Sequence, residues 1–407
     1  MNQQTCTRDK AWKKRIILFL TSQTISLLGS SLTQYAIIWY VTLTTTSGIM
    51  LTISTLVTFI PQVLISLFAG VWADRYNRKN LIICADALVA LSTLGLAFSF
   101  FMGYRELWII FLVSAVRSVG TGIQTPTVNA LIPQITPKSM LMRVTGFNGS
   151  LQNMTMIVAP AVSGALLATV SVESTFFIDV VTAIIGISLL SFLKILPHER
   201  AQSAKNTGTI SDLKTGILYA YRHPFIKVLL IFYALLMFLV TPTAFLTPLL
   251  IARTFGEEVW YLTANEIIYS VGAMIGGLII AAWGGFKSRV TTIMVFSTLC
   301  GVFCIGLGFS PVFLVFLGFM LFVGLTVPFI TAPITVLLQE RVEEAMQGRV
   351  FSLVQIMAAT AFPIGMTVFG PLADMIDVRL IIIATGILTA LCGFVVYHNK
   401  ILRSQEY

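Results

Sequence analysis

Four ionisable residues stand where an apolar chain can least accommodate them: Asp86, Arg117, Asp179 and Glu266, each inside a hydrophobic run. A charge within a membrane-length apolar segment is costly, and it is kept for pairing or for function. Asp86 falls about six residues into its run and Arg117 about eleven into the next, depths of roughly 9 and 16 Å at 1.5 Å per residue. A long arginine side chain can bridge that difference, so the spacing predicts a buried Asp86–Arg117 pair. That pairing leaves Asp179 and Glu266, each near the other end of its run, as acids free to take and release a proton. No Walker loop, metal-ligand cluster or nucleophile constellation accompanies them, so neither a cofactor nor catalysis is expected. Any ATP-binding component would be a separate protein.

The elements that must position these groups follow from composition. The chain has 407 residues, 57% hydrophobic and 11% charged, with a mean hydropathy of +0.90. Soluble domains carry about a quarter charged residues, which excludes an ordinary soluble enzyme, a disordered chain and a disulfide scaffold. The apolar runs are continuous rather than alternating, and each is long enough to cross a bilayer as a helix. Turn residues and charges divide them into twelve spans: 16–40, 49–73, 80–102, 106–128, 145–169, 175–196, 225–251, 264–284, 290–309, 312–337, 349–371 and 378–398. The expected fold is an all-α membrane protein. It has a six-helix bundle over 1–196, a linker over 197–224 and a second six-helix bundle over 225–407. The N-terminal run lacks a small-residue cleavage site and reads as a retained first helix. The five cysteines form no CxxC and read as unpaired.

The net charge of +9 reflects basic loops rather than nucleic-acid binding. With the N-terminus in the cytoplasm, only Arg105, Arg253 and Arg379 of the 26 Lys and Arg fall on the outer side, and Arg117 alone lies well inside a span. Basic loops resist translocation, so both termini should be cytoplasmic and the protein a multi-pass protein of the cell membrane. The halves also repeat at an offset of 206: Gly70 with Gly276, Arg143 with Arg349, Gly164 with Gly370. Parallel six-helix repeats with substrate bound near the midplane are a transporter architecture.

Two local patterns sharpen this. Gly70-Val-Trp-Ala-Asp74-Arg75-Tyr-Asn77-Arg78-Lys79 lies between spans two and three. It resembles the signature loop of the major facilitator superfamily, G-x-x-x-D-R/K-x-G-R/K-R/K, with Asn77 where a glycine is usual. Asn accepts left-handed backbone better than other non-glycine residues, so the turn is expected to survive. Gly70 should allow close helix approach. Asp74 should meet the helix start near Arg349, and Arg75, Arg78 and Lys79 should hold the loop at the cytoplasmic face as a gate. The equivalent place in the second half, Gly284 to Arg289, lacks the acid. Ala159-Pro160-Ala161-Val162-Ser163-Gly164 is similar to the superfamily's antiporter motif, with Pro160 to bend span five and Gly164 to let it pack closely.

Shorter phrases resemble the macrolide-efflux-like drug:proton antiporter branch. They are Ser22 to Ser30, Cys84-Ala-Asp86, Arg117 to Gly120, Phe176 to Asp179 and Gly348 to Ser352. The resemblance implies efflux of lipophilic drugs by proton antiport, with siderophore or lysophospholipid export as the alternative. It places Glu266 on a helix beside the cavity, which favours that acid as the proton carrier. It also implies that the first and fourth helices of each half line the cavity. Those helices carry Gln23, Gln34, Tyr35, Trp39, Gln124, Tyr233, Met237, Phe238, Phe316, Phe319 and Phe322, a set suited to a bulky lipophilic ligand. The partners expected are such a ligand, protons and the lipid bilayer. A channel or scramblase would want a charged pore ring, and an importer of polar nutrients would want more cavity charge.

Overall fold

The computed structural model describes residues 3–193 and 209–398. It contains the helices α1 (Gln3–Thr45), α2 (Gly48–Arg75), α3 (Arg78–Phe101), α4 (Leu107–Ile135), α5 (Leu141–Thr169) and α6 (Val172–Ser191). Then come α7 (Thr209–Arg222), α8 (Pro224–Phe245), α9 (Thr247–Thr254), α10 (Val259–Trp283), α11 (Arg289–Phe309), α12 (Phe313–Arg341), α13 (Glu344–Met375) and α14 (Val378–His398). Among the described residues, twelve helical segments are long and apolar enough to cross a membrane. Helices are required there because lipid offers backbone N–H and C=O groups no partners.

Two features depart from the sequence reading. The segment read as a linker contains α7, whose Ile210, Leu213, Ile217 and Tyr221 recur at helical spacing among polar residues. Span seven is α8 plus α9, interrupted at Leu246, because Pro248 has no N–H to continue the ladder. Helix starts carry the expected side-chain caps where the loops are polar. Asn77 accepts from the N–H groups of Lys79 and Asn80, and Ser288 accepts from Thr291. Asn77 has φ −68°, so it serves as a cap in extended backbone and not as the left-handed turn residue expected for it.

The chain divides into two compact units, Met1–Val41 with Ile53–Ser203, and Thr42–Thr52 with Ala204–Tyr407. In the first unit, α3 packs against α4 and α6, and a core forms at one end from Phe19, Ile82, Leu131, Val144 and Leu190. In the second, α11 packs on α14 and α12 on α10. The α10–α12 crossing runs through glycines. A Cβ at Gly272 would lie 2.1 Å from the Leu321 carbonyl oxygen, one at Gly276 2.2 Å from that of Leu325, and one at Gly324 2.2 Å from that of Tyr269. With no hydrophobic drive between helices in lipid, such backbone contact supplies the packing.

In the second unit, residues Thr46 to Thr52 are fastened to the end of α13. Asp374 accepts hydrogen bonds from the backbone N–H groups of Gly48 (2.7 Å) and Ile49 (2.9 Å) and from the Ser47 hydroxyl (2.8 Å). It thereby caps α2 from a position more than 300 residues away in sequence. Arg253 pairs with Asp374 at 2.7 Å and donates to the carbonyl of Thr46, a residue held at φ 44° in the left-handed region.

Candidate functional site

The buried charges of the first unit form two layers of polar contacts, and the partners differ from those expected. Arg117 on α4 pairs with Asp179 on α6, not with Asp86. It also donates to Thr93 Oγ1 and, at 3.1 Å, to the Ser30 carbonyl. Asp179 accepts from the Ser30 hydroxyl (3.1 Å) and from the Thr93 hydroxyl (3.0 Å). Asp179 is wholly buried, so the acid expected to be free is the one fully engaged.

Asp86 occupies the second layer. Its Oδ1 accepts from Ser26 Oγ at 3.1 Å and from Gln124 Nε2 at 2.5 Å. Its Oδ2 is buried with no hydrogen-bond partner among the described residues. Gln124 Nε2 also reaches Gln23 Oε1 at 3.4 Å, Gln23 reaches Ser22 at 3.5 Å, and Ser22 donates to the Gly186 carbonyl at 2.9 Å. Close approach of α3 and α4 permits this, since a Cβ at Gly120 would lie 3.1 Å from the Ala85 carbonyl oxygen. Helical spacing explains the two layers. Asp86 and Thr93 are seven apart on α3, Arg117 and Gln124 are seven apart on α4, and Ser26 and Ser30 are four apart on α1. Each pair therefore shares one helix face. Thr93 was not singled out from the sequence, and Ser26 and Ser30 entered only within the Ser22 to Ser30 phrase with no role of their own, although that spacing of small hydroxyls against charged residues was there to be found.

Beside the second layer lies a small polar cavity of about 60 Å³. It is lined by Gln23 and Gln124 together with Thr24, Asn129, Asn148 and Gln152. An apolar cleft of about 550 Å³ adjoins it between α1 and α5, lined by Trp12, Ile16, Ile17, Leu20, Val144 and Phe147 together with Lys13 and Arg143. Thr24 and Leu151 line both spaces. The unit thus has an apolar cleft beside a cavity lined by side-chain amides.

The other expected cavity residues divide. Trp39 is 1% exposed and packs against the tilted ring of Tyr35, and Phe316 is 0% exposed in a cluster with Phe255 and Phe313. Both are packing residues, closed to a ligand in this arrangement. Phe319 lies against Gly306 of α11, and Phe322 stacks on Phe303. Phe238 packs against Phe369 with ring centroids 5.1 Å apart. Gln34, Tyr233 and Met237 are half-buried, as is Glu266, which follows the buried Asn265 on α10.

The signature loop proves to be a clamp on helix ends. Arg78 donates to the carbonyls of Ala73 (2.9 Å) and Ala130 (2.9 Å) and to Gln134. Lys79 donates to the carbonyls of Ser191 (2.7 Å) and Leu193 (2.9 Å). Two cations thus neutralise carbonyls toward the C-terminal ends of α2, α4 and α6. A Cβ at Gly70 would meet no atom of the described residues within 4 Å. Arg75 is exposed, and the Asp74 side chain lies outside the described residues. Arg349 is half-buried and contacts Met346 Sδ at 3.3 Å. Pro160 and Gly164 are buried on α5 with Ala159 and Ser163, and the Ser163 hydroxyl donates to the Leu32 carbonyl at 3.1 Å.

Comparison with known proteins bears on what this arrangement serves. The family profile described as Major Facilitator Superfamily matches residues 19–357. The chain is 30% identical over 371 residues to macrolide efflux protein A of Streptococcus pyogenes, covering 90% of this chain and 91% of that one. It is also 30% identical to macrolide efflux protein A of Enterococcus faecalis over 79% of this chain and 99% of that one. The staphyloferrin A transporter of Staphylococcus aureus is 23% identical over 93% of this chain and 94% of that one. Among solved structures, a variant of the nucleoside transporter NupG superposes with a TM-score of 0.71 at 16% identity, covering 95% of this chain and all of that one.

Proposed function

This chain belongs to the major facilitator superfamily of membrane transporters, and we propose that it exports lipophilic compounds of macrolide type from the cell in exchange for protons. The observation that carries the reading is the apolar cleft of about 550 Å³ that shares Thr24 and Leu151 with the cavity lined by Gln23, Gln124, Asn129, Asn148 and Gln152. A bulky apolar ring system fills the cleft, and hydroxyl and amine groups at one end meet the amides. The relatives at 30% identity are named for macrolide efflux, which supports the same chemistry.

Proton exchange needs an acid that can take a proton while buried. Asp179 is engaged by Arg117, which leaves Asp86 and Glu266 as the acids for that step. The distribution of basic residues supports both termini in the cytoplasm and insertion in the cell membrane. In a cysteine-free background, a cysteine at Tyr104 should then react with an impermeant maleimide in intact cells. One at Ser139 should react only after permeabilisation, and the reverse pattern would overturn the orientation.

The function is tested by expressing the chain in a pump-deficient bacterial host and measuring susceptibility across a panel of lipophilic antibiotics. Raised resistance to macrolides with reduced cellular accumulation is expected. Unchanged susceptibility, with export of a siderophore or a lysophospholipid instead, would replace the macrolide reading with that of another substrate.

A further inference from the structure

We propose that the charge on Asp86 sets which face of the Gln124 side-chain amide is presented to the cavity, so that a proton on Asp86 converts that wall from hydrogen-bond acceptor to donor and releases the substrate. The inference rests on the export reading above and assigns the coupling step within it.

Gln124 is the side chain common to the acid and the cavity. Its Nε2 donates to Asp86 Oδ1 at 2.5 Å and lies 3.4 Å from Gln23 Oε1, while the residue lines the cavity. Both N–H bonds of the amide are then committed to Asp86 and Gln23, which leaves Oε1 as the acceptor for a ligand. Asp86 itself is 3% exposed, so a ligand feels its charge mainly through Gln124. The unpartnered Oδ2 is the atom open to a proton, and a half-turn of the carboxyl group about Cβ–Cγ then brings that O–H to the position of Oδ1, facing Ser26 and Gln124. Once protonated, Asp86 has an O–H to donate and needs an acceptor. Of its two partners, Ser26 can accept, but the amide can do so only after rotating Oε1 toward the acid. That rotation turns the NH₂ group to the cavity. A ligand hydroxyl or ammonium that bound Oε1 then faces another donor, which is a lost hydrogen bond and a repulsive contact. No covalent bond changes; one proton enters Asp86 and one ligand hydrogen bond is broken.

The charged surroundings leave Asp86 as the titrating group of its layer. On α6, Asp179 is neutralised by Arg117 of α4. Beyond Arg15, α1 carries no charged residue. Within α3 after Lys79, Asp86 is alone; Arg117 is the single charge of α4; and α6 adds only Glu173, which pairs with Arg105. The favoured ligand is therefore a lipophilic molecule with a hydrogen-bond donor, and a protonated amine suits it best because it also gains from the nearby carboxylate.

The test uses the purified full-length chain in lipid nanodiscs. Infrared difference spectra on acidification, without ligand, should show a protonated carboxylic acid band absent from Asp86→Asn. They should also show a side-chain amide band that shifts with it and is absent from Gln124→Met. Erythromycin, a lipophilic macrolide with one tertiary amine, serves as the binding probe between pH 5.5 and 7.5. Wild-type protein should bind it more weakly as pH falls, by about tenfold for one lost hydrogen bond, and should release protons to a weakly buffered indicator dye on binding. Asp86→Asn should bind without proton release or pH dependence. Gln124→Met should keep the acid band, bind more weakly and show a flattened pH profile. An acid band that persists in Asp86→Asn would overturn the assignment of the proton, and a wild-type pH profile in Gln124→Met would overturn the amide link. If erythromycin fails to bind at any pH while the paired infrared bands are present, the macrolide reading fails and the Asp86–Gln124 coupling stands.

Discussion

Arg117 reaches from α4 to Asp179 on α6, and the two side chains are 6% and 0% exposed. Four further contacts from Ser30 and Thr93 surround the pair, one of them from a backbone carbonyl. A charge pair so enclosed is a fixed strut between α1, α3, α4 and α6.

Removing one partner should therefore leave an uncompensated buried charge. Asp179→Leu or Arg117→Met alone should cost about 3–5 kcal/mol, while the double substitution should recover most of that loss. Thermal unfolding in detergent, followed by size-exclusion recovery, reads the cycle. Equal losses in the single and double variants would show that the strut is not the source of the effect.

The basic residues after α2 should act on stability before they act on transport. Arg78→Ala and Lys79→Ala each remove a cation from helix-end carbonyls, and each should cost about 0.3–2 kcal/mol. Arg75→Ala, at an exposed position, should leave the melting temperature within error. The three melting curves, measured beside efflux rates, separate a clamp from a gate. Unchanged melting with abolished efflux in Arg78→Ala would favour the gate.

Asp374 should be the chief tie of the α2 start within its unit. Asp374→Ala deprives two backbone N–H groups, the Ser47 hydroxyl and Arg253 of their shared acceptor, a loss of about 0.5–2 kcal/mol for the cap alone. Hydrogen exchange at Gly48 and Ile49 should quicken in that variant and remain slow in Asp377→Ala, three residues further on in the connection between α13 and α14. Unchanged exchange at Gly48 would contradict the capping role.

The twelve spans were legible because lipid leaves a chain few options, and hydropathy with turn residues records them directly. The buried charges were legible as functional candidates for the same reason. Their pairing was not. Depth along a helix axis made Asp86 and Arg117 compatible, but the choice depended on which face each helix turns to its neighbours. Asp179 meets Arg117 because Thr93, seven residues beyond Asp86, occupies the same face of α3 and brings that upper layer to α6. Aromatics on the expected lining helices were ambiguous for a related reason. Phe316 and Trp39 pack inward among other rings, and the cleft is walled instead by Ile16, Leu20 and Phe147, which no spacing distinguished from ordinary apolar residues. The role of Asn77 was hidden because a left-handed turn and an N-cap both favour asparagine.

The central claim is that this chain moves a lipophilic compound against its gradient by spending a proton gradient. The most direct measurement is uptake of radiolabelled erythromycin into everted membrane vesicles containing the full chain, with an imposed gradient, acidic inside. The account predicts accumulation above the external concentration, collapse on addition of nigericin, and loss of uphill accumulation in Asp86→Asn with downhill exchange retained. Accumulation in wild-type vesicles that is indifferent to the proton gradient would contradict it.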